Sequence, residues 1–285
     1  MEHPEVPVLK MPPKYICEAV QILYHYGENR NELREHVLSM FDSTDEKSVF
    51  RGMYVPTMRA LGLTLGFGQE IRCSSNGRLL FEAYSKSNDE GKRVLGKMLV
   101  EIDQQNCNIV DFLKSRIVAE HNSIVKFIIS KDASLGLTPL SNTVANERVR
   151  KFMRYLIEGR VVKQDDSQYA LAEYYQQTKV DTDIIKEPEF WNILLSCYNN
   201  IKEIKAGFPS IPIDQLRNEV SKQFYQRGIA LTEREFDSLI ARMPRIQSGH
   251  IIKFSRPMME SEKLLHLGGE VYSGMAIFKQ EKTID

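Results

Sequence analysis

Between Pro56 and Ala83 the chain carries the signals that most narrow its choice of fold. A short helix runs into Leu61-Gly62-Leu63-Thr64, a Gly66-Phe67-Gly68 turn follows, and Ile71-Arg72-Cys73-Ser74-Ser75-Asn76-Gly77-Arg78-Leu79-Leu80 leads into renewed helical spacing. Glycine ends a helix without the steric penalty of a Cβ. The stretch therefore reads as a helix that stops, a basic two-strand turn, and a helix beyond it. Upstream, Tyr15, Ile16, Ala19, Val20, Ile22 and Leu23 recur at spacings of three and four up to Tyr26, and Gly27 ends that helix. Leu33, Val37, Leu38 and Phe41 mark a second helix from Asn31 to Phe41, and Ser43 to Asp45 offer caps for a third element carrying Lys47, Val49, Phe50, Arg51, Met53 and Tyr54. Pro56 lacks a backbone donor and biases Val55 away from the helical region, so a break is expected there, with Pro56 opening the final turns.

The block over residues 14–84 resembles winged-helix domains, in which a Leu-Gly-Leu helix end, a short loop, a hydrophobic-basic strand and an S/T-x-x-G-K/R-x-L phrase build the wing. Ser74, Gly77, Arg78 and Leu80 occupy that last phrase. The resemblance implies contacts to double-stranded DNA from Arg51, Thr57 and Arg59 on the helical part and from Arg72 and Arg78 on the wing. The plainer alternative is a set of solvated surface arginines.

The pattern recurs twice. After helices marked by Val94 to Ile102, Ile109 to Ile117 and Ile124 to Ile129, the sequence Leu135-Gly136-Leu137-Thr138 echoes residues 61–64. A helix from Asn142 to Glu158 then turns Val149, Phe152, Met153, Leu156 and Ile157 inward and leaves Arg148, Lys151 and Arg154 on another face. Gly159 is expected to cap it, ahead of a hairpin through Arg160, Val161, Val162 and Lys163 and back along Tyr169-Ala170-Leu171. In the last part Phe190 to Ile204 form an apolar helix ending at Gly207, Pro209 and Pro212 fence a short strand, and a further helix covers Asp214 to Arg227. Thr232 and Glu235 form a capping box for a helix through Met243, stopped by Pro244. Strand-like segments His250 to Phe254 and Gly274 to Phe278 then enclose a long wing, with Arg234, Arg242, Arg245, Lys253 and Arg256 as basic contacts. The expected architecture is mainly α with short β-hairpins (α+β): tandem winged-helix modules over 1–87, 88–180 and 181–285.

With 42% hydrophobic residues, a chain of 285 residues can bury sizeable cores. No apolar run reaches the roughly 20 residues that cross a bilayer, and the N-terminus lacks the order of a signal peptide, so a cytoplasmic protein is expected. Cys17, Cys73, Cys107 and Cys197 stand far apart, which implies reduced, mostly buried thiols and no zinc knuckle; the histidines are equally scattered. Net charge is zero, yet Arg148, Arg150, Lys151, Arg154, Arg160 and Lys163 outnumber Glu147 and Glu158 between 147 and 163. A neutral chain can still present one positive face.

Enzyme motifs are missing. The chain has no phosphate-cradling G-x-x-x-x-G-K-S/T loop and no G-x-S-x-G elbow, and Gly66-Phe67-Gly68 lacks a third glycine. Glu203-Ile204-Lys205 after Asp181 and Asp183 carries the residue types of a PD-(D/E)xK nuclease, but on helical spacing where that chemistry needs a strand. No catalytic residue, cofactor or metal is expected. Tandem modules of this kind resemble DNA-binding proteins such as the recognition portions of type IIS restriction enzymes and accessory subunits of DNA-handling or defence systems. Two further readings stay open: a protein-protein scaffold subunit, suggested by neutral charge and by Tyr174, Tyr175 and Tyr225, and a transcriptional regulator.

Overall fold

The structure is a computed structural model that describes residues 6–66, 71–116, 118–134, 140–173, 175, 185, 187–204, 210–257 and 264–279. Phe67, Gly68, Ile117, Leu135 to Thr138, Tyr174, Asp181, Asp183, Lys205, Gly207 and Pro209, which figured in the expectations above, lie outside these residues. The described chain is mainly helical with small antiparallel sheets, an α+β protein. Its contacts form two units, Met1–Thr64 with Leu80–Val180, and Leu65–Leu79 with Asp181–Asp285.

In the first unit, α1 (Ile16–Tyr26) buries Ile16, Ala19, Val20, Ile22 and Leu23, and α2 (Arg30–Met40) starts on Asn29, whose side chain accepts from the Asn31 and Glu32 amides. The third element is a π-helical stretch, Lys47–Tyr54, running directly into α3 (Val55–Ala60). The break expected before Pro56 is absent, since Val55 keeps φ −57 and ψ −48. The hydrogen-bond register changes instead, the Val55 amide reaching back to Phe50 O. Pro56, which lacks a backbone donor, stands in the first turn of α3, at the point where this register changes. Gly62, at φ +67, ends α3 as anticipated, with Leu63 N bonding to Met58 O and Gly62 N to Arg59 O.

Thr64–Leu65 (β1) and Arg72–Cys73 (β2) form a two-stranded sheet, and the expected basic strand ends there. The Ser74 hydroxyl accepts the Gly77 amide at 3.0 Å, an N-cap bond that starts α4 (Ser75–Lys86). Arg78 therefore stands on a helix and not on a wing.

The rest of the first unit comprises α5 (Asn88–Asn106), α6 (Ile109–Lys114), β3 (Ala119–Glu120), α7 (His121–Ser134), α8 (Asn142–Glu158), β4 (Val162–Asp165) and β5 (Gln168–Leu171). The strands order as β3-β5-β4, all antiparallel. Asp103 on α5 is fully buried; its carboxylate accepts from the Ile109 and Val110 amides at 2.8 Å each and so caps α6. Gly159 does end α8, but the left-handed residue is Arg160 at φ +56. What demands glycine at 159 is close approach to α5: a Cβ on Gly159 would lie 2.8 Å from Gly96 Cα and 2.9 Å from Gly96 N.

The N-terminal segment is tied into this unit. Val6, Leu9 and Met11 are buried, and Tyr155 Oη of α8 donates to Met11 O at 2.9 Å.

The second unit contains α9 (Glu187–Ile204), β6 (Ile211–Pro212), α10 (Ile213–Gln226), α11 (Glu233–Arg242), β7 (Ile246–Gln247), β8 (His250–Ser255), β9 (Leu265–Leu267), β10 (Glu270–Tyr272) and β11 (Gly274–Lys279). The Thr232–Glu235 capping box is formed as expected. Strands order as β6-β11-β8-β7, with β9 and β10 a separate hairpin inside the long wing segment. Phe190, Trp191, Leu194, Phe224, Phe236, Ile252 and Met275 are among the side chains of its core.

The two units share a partial order of elements: helix, strand, helix, helix, then two antiparallel strands of which the second pairs with the first strand, with β7 inserted before and the β9-β10 hairpin between those two strands in the second unit. In the first unit this is α6-β3-α7-α8-β4-β5, and in the second α9-β6-α10-α11-β8-β11.

Candidate nucleic-acid interface

The helix preceding each hairpin carries the exposed cations that matter most. On α8 the buried positions Ala145, Val149, Phe152, Tyr155 and Leu156 fix the helix rotation, so that Glu147, Arg150 and Arg154 are exposed and Lys151 half-exposed along one stripe. Lys151 Nζ reaches Glu147 Oε1 at 2.5 Å, and that hydrogen bond holds the Glu147 carboxyl below the usual carboxylate range. Arg148, expected on this face, is half-buried at its flank, and Arg150 takes its place. The 3.6-residue period through 147, 150, 151 and 154 is the signal that identifies Arg150.

At the end of α8, Lys92 pairs with Glu158 at 2.9 Å. Arg160 pairs with Asp89 at 2.5 Å, and Lys163 on β4 pairs with Glu173 at 3.1 Å. Both pairs are solvent-exposed, so each is worth at most about 1 kcal/mol and is open to exchange for another anion.

The other first-unit candidates divide sharply. Thr57 is fully buried, and its hydroxyl accepts the Lys10 and Met11 amides at 3.0 and 3.1 Å. It holds the N-terminal segment in place and is closed to a ligand, a correction to its expected role. Arg51 is exposed and bonded to Glu46 at 2.8 Å, while Arg59 is exposed on α3.

Arg72 and Arg78 belong to the second unit and Arg51 and Arg59 to the first; Arg72 and Arg78 are exposed. On α11, Arg234, Ser238 and Arg242 are exposed and lie in one row. Beyond it the Arg245 guanidinium covers the Phe254 ring at 4.3 Å, Lys253 lies 5.3 Å from the Phe278 ring centroid, and Arg256 pairs with Glu270 at 2.7 Å. The first turn of α11 is acidic, with Glu233 and Glu235. Its N-terminus is also occupied: Asn76 N donates to Glu233 Oε1 at 3.2 Å and Glu233 N to Asn76 Oδ1 at 3.1 Å.

A buried pair joins the two helices ahead of this hairpin. Arg217 of α10, its side chain 3% exposed, grips Asp237 of α11 through Nε at 2.8 Å and Nη2 at 2.7 Å. Burial pushes the Asp237 carboxyl up and Arg217 opposes it.

Cys73, Cys107 and Cys197 are buried and Cys17 partly so. Burial pushes the Cys197 thiol up to about 11. Among the described residues no cluster of His, Cys, Asp and Glu is placed to hold a metal ion, and Glu203 stands on helix α9. No helix among the described residues is long and apolar enough to cross a membrane. No protein-family model matches the chain, and neither a curated protein nor a solved structure matches it.

Proposed function

We propose that this chain is a non-catalytic protein that binds double-stranded DNA through winged-helix modules, with α8 laid against the duplex and the β4–β5 hairpin as the wing beside it. The observation that carries this reading is the repeated order helix-strand-helix-helix-hairpin, with the first strand pairing to the last, combined with exposed Arg150 and Arg154 on the helix before the hairpin. That order is the one winged-helix domains use, and the helix before the hairpin is the one such domains present to DNA. Arg150 and Arg154 lie one turn apart with Lys151 beside them, and the three suit neighbouring phosphates. The second unit contributes Arg234, Arg242 and Arg245 as a weaker surface, because Glu233 and Glu235 repel a polyanion at the head of α11. Linkage lets two weak surfaces act together. A recognition or accessory subunit of a DNA-handling system, or a transcriptional regulator, would use such a protein.

A scaffold role is the second reading, favoured by an apolar row on the second unit's sheet. Ile246 pairs with Ile251 and Ile251 with Phe278, and Ile246 and Phe278 are 56% and 39% exposed.

A mobility-shift titration at two salt concentrations separates the readings. Each phosphate contact contributes about 0.9 to the slope of log K against log salt, so replacing Arg150, Lys151 and Arg154 together with alanine is expected to flatten the slope by about three. Glu147→Gln is expected to tighten binding, since it removes a carboxylate and releases Lys151. No shift at micromolar protein and low salt overturns the DNA reading in favour of the scaffold.

A further inference from the structure

Five aromatic side chains form a contiguous run at the surface of the first unit. Tyr24 of α1 stacks on Phe81 of α4 with ring centroids 3.8 Å apart, and His25 stands edge-on to both at 5.3 Å. The run continues from His25 to Tyr26 at 6.2 Å, and Tyr26 stacks on His36 of α2 at 3.8 Å. Tyr24 is 40% exposed, His25 and His36 are exposed, and Tyr26 and Phe81 are half-buried. Rings held together at the surface and bordered by polar groups mark an interaction face.

Carboxylates border this run. Glu32 and Glu35 share one exposed side of α2, and Glu32 lies one turn before His36. Glu28 is exposed in the short turn that joins α1 to α2, and Glu18 is exposed two turns before His25. The arginines of α2 serve another side of the helix: Arg34 pairs with Glu46 at 3.4 Å, and Arg30 acts on the same carboxylate. Helix α1 contains no lysine or arginine. Among the described residues no cation lies over any of the five rings. Elsewhere the chain covers its own rings with arginine, Arg116 over Phe112 at 4.4 Å and Arg245 over Phe254 at 4.3 Å.

We propose that this face binds an arginine-bearing segment of a partner protein. A guanidinium lies flat on an aromatic ring and pairs at its edge with a carboxylate, and exposed rings and carboxylates stand side by side here. The same carboxylates repel phosphate, so a nucleic acid stacking its bases on these rings would meet like charge. The inference does not rest on DNA binding, since no residue of α8 takes part.

The test titrates the intact chain into a labelled twelve-residue peptide alternating arginine and glycine, followed by fluorescence polarisation, with citrulline in place of arginine as the uncharged control of equal shape. Saturable binding is expected, about tenfold tighter for the arginine peptide. Tyr24→Ala and His36→Ala should each weaken it by about two- to fivefold, the worth of one exposed cation–π contact. Glu28→Gln with Glu35→Gln should weaken it too and flatten its salt dependence. Neither glutamate makes a hydrogen bond among the described residues, so an unchanged melting temperature is expected for that pair. Absence of saturable binding, equal affinity for the citrulline peptide, or a loss on Glu→Gln with none on Tyr24→Ala would overturn the proposal. Tighter binding of an oligothymidylate than of the arginine peptide would overturn it as well, in favour of unpaired bases.

Discussion

Cutting the Arg217–Asp237 pair from its two ends should have unequal consequences. Arg217 is 3% exposed at its side chain and stays charged at any accessible pH, whereas Asp237 is 31% exposed. Asp237→Ala removes the carboxylate opposite a buried guanidinium, leaving its charge uncompensated although Arg217 Nη2 still donates to Leu264 O, which costs about 3–5 kcal/mol. Arg217→Met removes the buried charge, fills most of the volume with apolar atoms and leaves a carboxylate that reaches water, for about 1–2 kcal/mol. The chain's one tryptophan, Trp191, is 3% exposed in the core of the same unit, so its fluorescence follows that unit alone through a urea titration. With a slope of about 2 kcal/mol per molar urea, the midpoint should fall by roughly 1.5–2.5 M for Asp237→Ala and by under about 1 M for Arg217→Met. Acidity adds a second signature. In Arg217→Met the main opposition to burial at Asp237 is gone and only the smaller pull of His266 is left, so its folded pKa rises further above the unfolded value; the variant is penalised above that pKa and relieved as pH falls through it. The Asp237→Ala deficit has no such relief. Equal costs for the two variants, or a larger cost for Arg217→Met, would refute the reasoning.

Gly96→Ala places a Cβ 2.2 Å from Gly159 O, so α5 and the end of α8 must part; a loss of about 1–3 kcal/mol is expected, read as a lower melting temperature by circular dichroism. Thr57→Val keeps the shape but removes the acceptor of the Lys10 and Met11 amides, which should cost about 1–3 kcal/mol and expose the N-terminal segment to limited proteolysis. Asp45 and Glu46 are held below their ordinary values, Asp45 mainly by its bond from Ser48 and Glu46 mainly by its bond from Arg51. Their stabilisation is present above the ordinary carboxylate range and is lost as pH falls through the depressed folded values, so acid should lower the melting temperature and Glu46→Gln should flatten that dependence.

Much of the local structure was legible because caps and turns are decided within a few residues. Helix α8, the Thr232–Glu235 box, the Gly62 stop and the hairpin turning at Asp165 to Ser167 all follow from such short-range bonds. The Ser74 cap was equally local, but Ser-Ser-Asn-Gly serves a strand end as readily as a helix start. The arginines of α8 could be picked out, though choosing Arg150 over Arg148 required the helix rotation, which burial of Tyr155 against Met11 helps to set.

Amino-acid order alone determined where most of the helices begin and end, though not the continuous passage through Pro56 or the helix start at Ser75, and that cations gather near 147–163. Folding in three dimensions decided that Thr57 is buried, that glycines 96 and 159 touch, that Arg217 meets Asp237, and that Asn76 closes the head of a helix 157 residues away. Periodicity reports which side of an element is apolar. It carries no information on which distant segment arrives to cover that side, and that arrival settles whether a polar group is free to bind or already engaged.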